Sequence, residues 1–255
     1  MDTCRALKAE RDIFPSGTRI DDTNHGNSLH PGVLLCCAGS ESLYTTSGIP
    51  LQKGQNSYVT VATHGFPPGR EIVHHPDKNG SAIGQASIRL GGTDISLMSL
   101  YPGIAYSTDV VSSNDDPTTP KTAFRALRHP DTIKIHETVW MDNPYMGRQE
   151  GIIIGVEYLT MPEDGPGSAN QWTTAMWIQT SKPKDGSCGS ILYTAEGDVV
   201  GFFRFVNKYG YLLALSVELL IRLGYELSPI EEQLLTTSNQ NQQLSRSQSG
   251  QTARV

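Results

Sequence analysis

The sequence predicts an all-β fold with its strands in two blocks, and three observations support this prediction. Short apolar or alternating runs recur along most of the chain, separated by turn residues, as expected for strands joined by tight connections. Gly (25) and Pro (15) are plentiful among the 255 residues, which suits many such turns. Helical periodicity is too sparse for strand–helix–strand units. Together these features indicate two β-barrels or a β-sandwich.

The first block begins after Gly32 and the second follows a polar segment in the middle of the chain. Alternation of apolar and polar residues, or a short continuous apolar run, marks each predicted strand. The predicted strands are residues 33–37, 57–62, 85–90, 94–100, 132–140, 151–159, 171–180, 190–194, 199–206 and 209–214. The Ala-Glu-Gly-Asp segment at 195–198 predicts a hairpin turn between two of them.

One short helix is predicted near the end of the second block. Ser216 is a good helix N-cap, residues 217–223 are mostly apolar, and Gly224 suits the position that closes a helix. Beyond Thr236 the chain is rich in Gln, Ser, Asn and Arg with few apolar residues, so a flexible tail is predicted there.

The composition shifts divide the chain into five parts. A segment rich in Ser, Asn, Asp, Thr and Pro at 112–120 indicates a linker between the two blocks. The predicted parts are an N-terminal arm (1–30), a first barrel (31–115), a linker (116–131), a second barrel with the helix (132–227) and a tail (228–255).

Charge and cysteine usage exclude several classes of partner and location. The net charge is −6 with Lys and Arg scattered, so no nucleic-acid partner is expected. No apolar stretch approaches the roughly 18 residues needed to cross a membrane, and residues 1–11 lack the apolar core of a secretory signal. The four cysteines (Cys4, Cys36, Cys37 and Cys188) do not suggest a disulfide framework. We therefore expect free thiols in a reducing compartment, the cytoplasm.

Three segments carry candidate chemistry. The β-rich run at 58–66 contains Ala-Thr-His, with His64 at the end of the predicted strand. Asp94 opens an alternating strand 30 residues later. Cys188, a further 94 residues on, lies in Gly-Ser-Cys-Gly-Ser, with glycine two residues before it and one after it. A nucleophile, a base and a group that orients the base are the parts that covalent catalysis requires.

In this order the three segments resemble those of chymotrypsin-like (trypsin-like) peptidases, over roughly residues 30–225. With cysteine at the nucleophile position, the chain is similar to the cysteine proteases of picornavirus-like viruses. The resemblance implies two antiparallel six-stranded β-barrels with the site between them and a short C-terminal helix. It also implies an endopeptidase that acts on protein or peptide substrates through a thioacyl-enzyme, without a cofactor or metal.

The resemblance implies a role for each residue of the site. His64 would be the general base and then acid, Asp94 would orient it, and Cys188 would attack. The backbone amides of Gly186 and Cys188 would form the oxyanion hole. The residues implied for the substrate-binding strand and the entrance of the S1 pocket are Phe203, Arg204, Phe205 and Val206.

The substrate strand also shows where the chain departs from its viral relatives. They carry Gly-x-His, whereas this chain has Gly-Phe-Phe at 201–203, so a preference for glutamine is not expected. The charge of Arg204 instead favours an acidic or polar substrate residue at the P1 position.

Two alternatives remain open from the residues, and a third is disfavoured. Ser187 is a second candidate nucleophile, but in its register the two glycine positions become Asp185 and Cys188, so the cysteine register fits better. A catalytically silent relative would be a binding or regulatory module on the same fold. A metal site at His74, His75 and Asp77 is disfavoured because further ligands are lacking and a solvated loop explains them.

Overall fold

The computed structural model describes residues 28–37, 44–77, 79–107, 123–161 and 171–228. Within these ranges the chain is almost entirely β-structure, with one short α-helix, α1 (Glu218–Arg222), and two 3₁₀ turns, Thr63–Gly65 and Pro130–Thr132. The strands are β1 (Ser28–Leu29), β2 (Leu34–Cys37), β3 (Tyr44–Thr46), β4 (Pro50–Lys53), β5 (Asn56–Ala62), β6 (Ile72–His75), β7 (Ser81–Leu90), β8 (Ile95–Leu100), β9 (Ala105–Tyr106), β10 (Ala126–Leu127), β11 (Thr138–Asn143), β12 (Gly147–Met161), β13 (Gln171–Gln179), β14 (Ile191–Tyr193), β15 (Asp198–Val206), β16 (Leu212–Ser216) and β17 (Glu226–Leu227).

The first large sheet has the order β17-β4-β5-β8-β7-β6-β2-β3. Strand β2 pairs with both β3 and β6, while β4 pairs with β5. Because β3 leads into β4 through residues 47–49, the sheet curls back on itself. Its interior is filled by fully buried apolar side chains, among them Leu35, Val61, Val73 and Met98. Burial of such side chains removes apolar surface from water and is the main stabilising contribution.

The second large sheet has the order β10-β15-β14-β11-β12-β13-β16. An additional antiparallel pairing joins β15 to β16, so β11 to β16 form a closed barrel of six strands. Strand β10 runs parallel to β15 outside this ring. The barrel interior contains Val139, Ile153, Met176 and Val200, all buried. The prediction of an all-β fold with two barrels is confirmed.

The short helix and the hairpin predicted near the end of the second barrel are present, but the helix N-cap is Val217 and not the predicted Ser216. The Ser216 hydroxyl accepts a hydrogen bond from the Glu218 backbone amide at 3.1 Å, which supports the start of α1. In the predicted hairpin, the Thr194 amide donates to the Asp198 carbonyl at 3.0 Å.

Four predicted strands start at clearly different residues: 85–90 and 151–159 begin four residues earlier, at Ser81 and Gly147, and two others begin later. The predicted strand 132–140 begins later, at Thr138, because Pro130–Thr132 is a 3₁₀ turn. The predicted strand 209–214 begins at Leu212 because the Asn207 side-chain oxygen accepts hydrogen bonds from the amides of Tyr209 and Tyr211 and holds a turn there.

The predicted domain boundaries stay predictions, and two short strands lie across them. Strand β10, in the predicted linker, joins the second sheet. Strand β17, at the end of the predicted second barrel, pairs with β4 of the first sheet. Most of the predicted arm, all of the Ser/Asn/Asp-rich segment at 112–120 and nearly all of the tail lie outside the described residues. Within the described part of the chain, no helix is long and apolar enough to cross a membrane.

Candidate active site

His64 lies in the 3₁₀ turn that follows β5, and the sheet places Asp94 beside it. Ala62 on β5 pairs with Ile95 on β8, so the residues just beyond this pair are neighbours. The Thr63 amide donates to the Asp94 carbonyl at 2.9 Å and extends the strand contact by one step. The register of two neighbouring strands therefore brings together residues that are 30 positions apart.

The His64 and Asp94 side chains form a two-point contact. His64 Nδ1 is 2.5 Å from Asp94 Oδ2, and the His64 backbone amide donates to Oδ1 at 3.0 Å. A carboxylate at this distance requires a proton on Nδ1, so in the neutral ring Nε2 is the proton acceptor. The Asp94 side chain is 10% exposed and the His64 side chain 26% exposed.

The surroundings strongly favour the charged forms of both residues. Burial by itself lowers the pKa of His64, but the charge and hydrogen bond of Asp94, together with contact to Cys188, raise it to about 10. Burial likewise raises the pKa of Asp94, but His64 and then Arg204 lower it below its usual value. Around neutral pH the pair is therefore an imidazolium facing a carboxylate.

Cys188 lies on a tight loop between β13 and β14. The Ser187 amide donates to the Lys184 carbonyl at 3.2 Å, and the Ser190 amide donates to the Ser187 carbonyl at 3.1 Å. Gly186 and Gly189 have φ of 88° and 92°, in the left-handed region that side chains with a Cβ avoid. A Cβ at Gly189 would lie 2.5 Å from the Thr46 carbonyl oxygen. The two glycines that frame Cys188 are thus required by the backbone of this loop.

Strand β3 of the first barrel holds this loop of the second barrel. The Thr46 amide and the Thr45 hydroxyl both donate to the Cys188 carbonyl, at 2.8 Å and 2.6 Å. The Thr46 hydroxyl donates to the Gly186 carbonyl at 2.8 Å. Sequence reasoning missed Thr45 and Thr46, and no pattern around them in the sequence marks this role.

The same contacts distinguish the amides on either side of Ser187. Within the described residues, the Gly186 and Cys188 amides have no hydrogen-bond acceptor. The amides of Ser187 and Gly189 donate to the carbonyls of Lys184 and Phe203. The two predicted oxyanion donors are therefore not used in hydrogen bonds within segment 186–189 of this loop.

Cys188 and Ser187 differ sharply in accessibility. Cys188 is partly exposed, contacts His64, and its thiol donates to the Arg204 carbonyl with Sγ and O 3.0 Å apart. Ser187 is 0% exposed, and its hydroxyl oxygen is buried without a hydrogen-bond partner among the described residues. A group buried in this way cannot reach a ligand in the cleft without rearrangement of the loop.

The side chains predicted to line the substrate strand are mostly engaged inside the protein. Phe203 belongs to the second-barrel core, and Val206 packs against that core. Phe205 contacts Trp177 edge to face, with ring centroids 6.3 Å apart. If Phe203, Phe205 and Val206 contact a substrate as predicted, they do so through the backbone of this strand.

The Arg204 side chain, predicted at the entrance of the S1 pocket, contacts the His64–Asp94 pair. Its Nε lies 3.0 Å from Asp94 Oδ2 and one terminal nitrogen lies 3.3 Å from His64 Nδ1. The Nε proton is not directed at an acceptor, so the contact to Asp94 is an ion pair without a hydrogen bond from Nε. The guanidinium faces the buried carboxylate of Asp94, and the preference for an acidic or polar P1 residue stays a prediction.

The described residues contain no cluster of three His, Cys, Asp or Glu side chains that could hold a metal ion. The rings of His74 and His75, on β6, contact backbone carbonyls through Nδ1, those of Gly80 at 3.0 Å and Leu34 at 2.8 Å. These contacts give both histidines a role within the sheet.

No family model matches the sequence, and no curated protein matches it. Solved structures do resemble the fold. A glutamic acid-specific serine protease, described as using a histidine triad in substrate binding, is 14% identical, with 78% of this chain and 100% of that chain covered at a TM-score of 0.58. Protease A of Thermobifida fusca is 12% identical (78% and 98% covered, TM-score 0.57). A Cellulomonas bogoriensis chymotrypsin is 14% identical (79% and 98% covered, TM-score 0.54).

The chain has the chymotrypsin-like two-barrel fold. At these identities the likeness concerns the fold alone, and the chemistry has to be argued from the residues of this site. The three proposed catalytic residues lie together in the structure, and two of them come from one barrel and the third from the other.

Proposed function

We propose that the chain is an endopeptidase that cleaves peptide bonds through Cys188, His64 and Asp94. One observation carries the proposal: a partly exposed thiol on a glycine-framed loop contacts a histidine whose Nδ1 is held by a buried carboxylate 2.5 Å away. This is the arrangement of nucleophile, base and orienting group that acyl transfer requires.

The charges of the site support an attacking thiolate. With a pKa raised to about 10, His64 is protonated near neutral pH and stabilises a thiolate beside it. In the proposed first step the Cys188 sulfur forms a bond to the carbonyl carbon of the substrate, and the carbonyl oxygen becomes an oxyanion. The amides of Gly186 and Cys188 would bind this oxyanion, since neither is used within the loop.

Two proton transfers complete the proposed reaction. When the C–N bond breaks, His64 gives its proton to the leaving nitrogen, and a thioacyl-enzyme remains. His64 then takes a proton from water, the resulting hydroxide attacks the thioester carbonyl, and the C–S bond breaks to release the acid and the thiolate. Asp94 keeps the ring oriented through both steps.

The edge of β15 supports an extended peptide as the substrate. The Phe203 backbone pairs with the nucleophile loop through Ser190 and Gly189, at 2.8 Å and 3.0 Å. Beyond Phe203, β15 pairs with β16 on one side, and within the described residues its other edge has no strand partner. A peptide can add to such an edge by main-chain hydrogen bonds, which would place its scissile bond beside Cys188.

A serine peptidase that uses Ser187 has less support, because the Ser187 hydroxyl is fully buried whereas Cys188 contacts His64. The experiment that tests the proposal compares Cys188→Ala with Ser187→Ala on a mixed peptide library, with cleavage products identified by mass spectrometry. We expect Cys188→Ala to lose at least about 10⁴-fold in rate and Ser187→Ala to lose little.

Alkylation by iodoacetamide separates the remaining outcomes. We expect fast, pH-dependent labelling of Cys188 that slows in His64→Ala, while the buried Cys36 and Cys37 serve as internal controls. Fast labelling without cleavage of any library peptide would indicate a silent binding module. Loss of activity in Ser187→Ala but not in Cys188→Ala would overturn the choice of nucleophile.

A further inference from the structure

Arg204 occupies an irregular position on β15, next to the candidate site. On β16 the neighbours Ala214 and Leu213 pair with Phe203 and Phe205, so Arg204 is the extra residue of a β-bulge. A bulge changes the direction of a side chain relative to the regular strand, and bulges are frequent beside active sites. Here the bulge coincides with an Arg side chain that faces Asp94 and is only 29% exposed.

Arg204 touches all three of the residues proposed for catalysis. Its Nε is 3.0 Å from Asp94 Oδ2, a terminal nitrogen is 3.3 Å from His64 Nδ1, and its carbonyl accepts the Cys188 thiol at 3.0 Å. These contacts span long separations in sequence, 140 residues between Arg204 and His64. The charged or titratable groups that face His64 are therefore Asp94 from the turn before β8, Cys188 from its loop and Arg204 from β15.

One oxygen of Asp94 is shared by two cations. Oδ2 is 2.5 Å from His64 Nδ1 and 3.0 Å from Arg204 Nε. Because Nδ1 carries the proton that points to Oδ2, it cannot also accept one from the guanidinium 3.3 Å away. The Arg204–His64 contact is thus between two donors, and it opposes protonation of the ring while both are attracted to the same carboxylate.

The proposed reaction requires that the His64 ring can lose its proton, which the Arg204 contact favours. His64 must release its proton to the leaving nitrogen and later accept one from water, and a ring that holds its proton too strongly fails at the first of these transfers. A buried carboxylate strengthens the hold on that proton. A neighbouring cation paired with the same carboxylate weakens the attraction between that carboxylate and the His64 proton.

We propose that Arg204 is a positioning residue of this site: its guanidinium holds Asp94 in place and, by sharing Oδ2 with His64, makes the His64 proton easier to release. The benefit to catalysis rests on the proposed peptidase function, but the contacts of Arg204 with Asp94 and His64 are present without any substrate. The role differs from that of a side chain in the S1 pocket, because the charge acts on the protein's own carboxylate.

The test is an NMR titration of the His64 ring in the full chain, which needs no substrate. Replacing Arg204→Met removes the charge and retains the aliphatic length, and we expect the His64 pKa to rise by about one unit. Arg204→Lys keeps a positive charge and should therefore raise the His64 pKa less than Arg204→Met does. Arg128→Gln is the matched control, because Arg128 also pairs with a carboxylate, Glu137, but lies outside the site.

Each outcome decides the inference. A role limited to packing predicts no change in the His64 pKa in Arg204→Met, and a role limited to orienting Asp94 predicts a fall, so either result would overturn the proposal. If Arg204→Met does not fold, Arg204→Gln replaces it, and failure of both to fold assigns Arg204 to stability alone and also ends the proposal. Absence of peptide cleavage with the expected pKa rise would reject the peptidase function and leave the Arg204 contact established.

Discussion

The two barrels contribute to the candidate site by different means. The first barrel supplies His64 and Asp94 at the ends of paired strands, so the regular register of β5 and β8 brings them together. The second barrel presents Cys188 on a loop, and that loop takes three hydrogen bonds from Thr45 and Thr46 of the first barrel. The His64–Asp94 pair is therefore built within one sheet, whereas the geometry around Cys188 depends on how the barrels meet.

Because of this difference, substitutions at different places should affect different parts of the site. A substitution that disturbs the contact between the barrels should alter the Cys188 loop first and leave the His64–Asp94 pair in place. Loops that carry function on rigid scaffolds commonly have this dependence. Arg204 is the exception on the second barrel, because its side chain reaches the pair itself.

The largest effect is expected from Gly189→Ala. The alanine would have to keep the φ of 92° that Gly189 has, and its Cβ would lie 2.5 Å from the Thr46 carbonyl oxygen. Both the loop backbone and the contact between the barrels must therefore shift. We expect the free energy of unfolding to fall by about 3 kcal/mol, measured by urea denaturation.

Gly210→Ala is the matched control for this prediction. Gly210 has nearly the same φ, 87°, but nothing lies within 4 Å of a Cβ there. The difference between the two variants isolates the close approach of the barrels. Equal losses of stability would show that φ alone matters and that the barrel contact does not.

An intermediate effect is expected from Asp94→Asn, which weakens the pair inside the first barrel. The rate of Cys188 alkylation near neutral pH should fall by about 10²-fold, because the imidazolium that favours the thiolate loses its anionic partner. The measurement is the alkylation rate from pH 5 to pH 10. An unchanged profile would contradict the assigned role of Asp94.

The same variant tests the pH dependence of stability. The His64 pKa is raised to about 10, so its contribution is complete below its ordinary value of 6.5 and is lost as the pH rises toward 10. The Asp94 pKa is lowered, so its contribution is complete above 3.8 and is lost as the pH falls below that value. Thermal unfolding should show both losses in the original chain, and both should be much smaller in Asp94→Asn.

The smallest effect is expected from Thr46→Val, which removes the hydroxyl that donates to the Gly186 carbonyl and keeps the β-branched shape. Loss of one such hydrogen bond costs about 1 kcal/mol, which corresponds to a decrease of roughly tenfold or less in the rate of peptide cleavage. Thr180→Val removes a comparable hydroxyl, which donates to the Glu150 carbonyl at 2.5 Å, and serves as the control. Similar losses in both variants would argue against a specific role for Thr46.

The sequence predicted the regular strands well and the irregular ones poorly. Strands β5, β7 and β8 have enough alternating or apolar residues to be recognised, whereas β3, β4 and β6 were missed. Each of these three strands includes polar residues, such as Thr45, Thr46 and His74, that still lie in the sheet, because backbone pairing and burial override the local pattern. The four shortest strands, β1, β9, β10 and β17, consist of two residues each and have no pattern at all.

The sequence by itself determined three features: the all-β class of the chain, the order of His64, Asp94 and Cys188, and the glycines that frame Cys188. These features are local, since alternation along a strand and glycine at a left-handed position are visible within a few residues. Only the tertiary structure decided that Thr45 and Thr46 hold the Cys188 loop and that Arg204 faces Asp94. Those contacts join residues 110 to 143 positions apart, and no local preference of the chain encodes which distant side chain meets a given carbonyl or carboxylate.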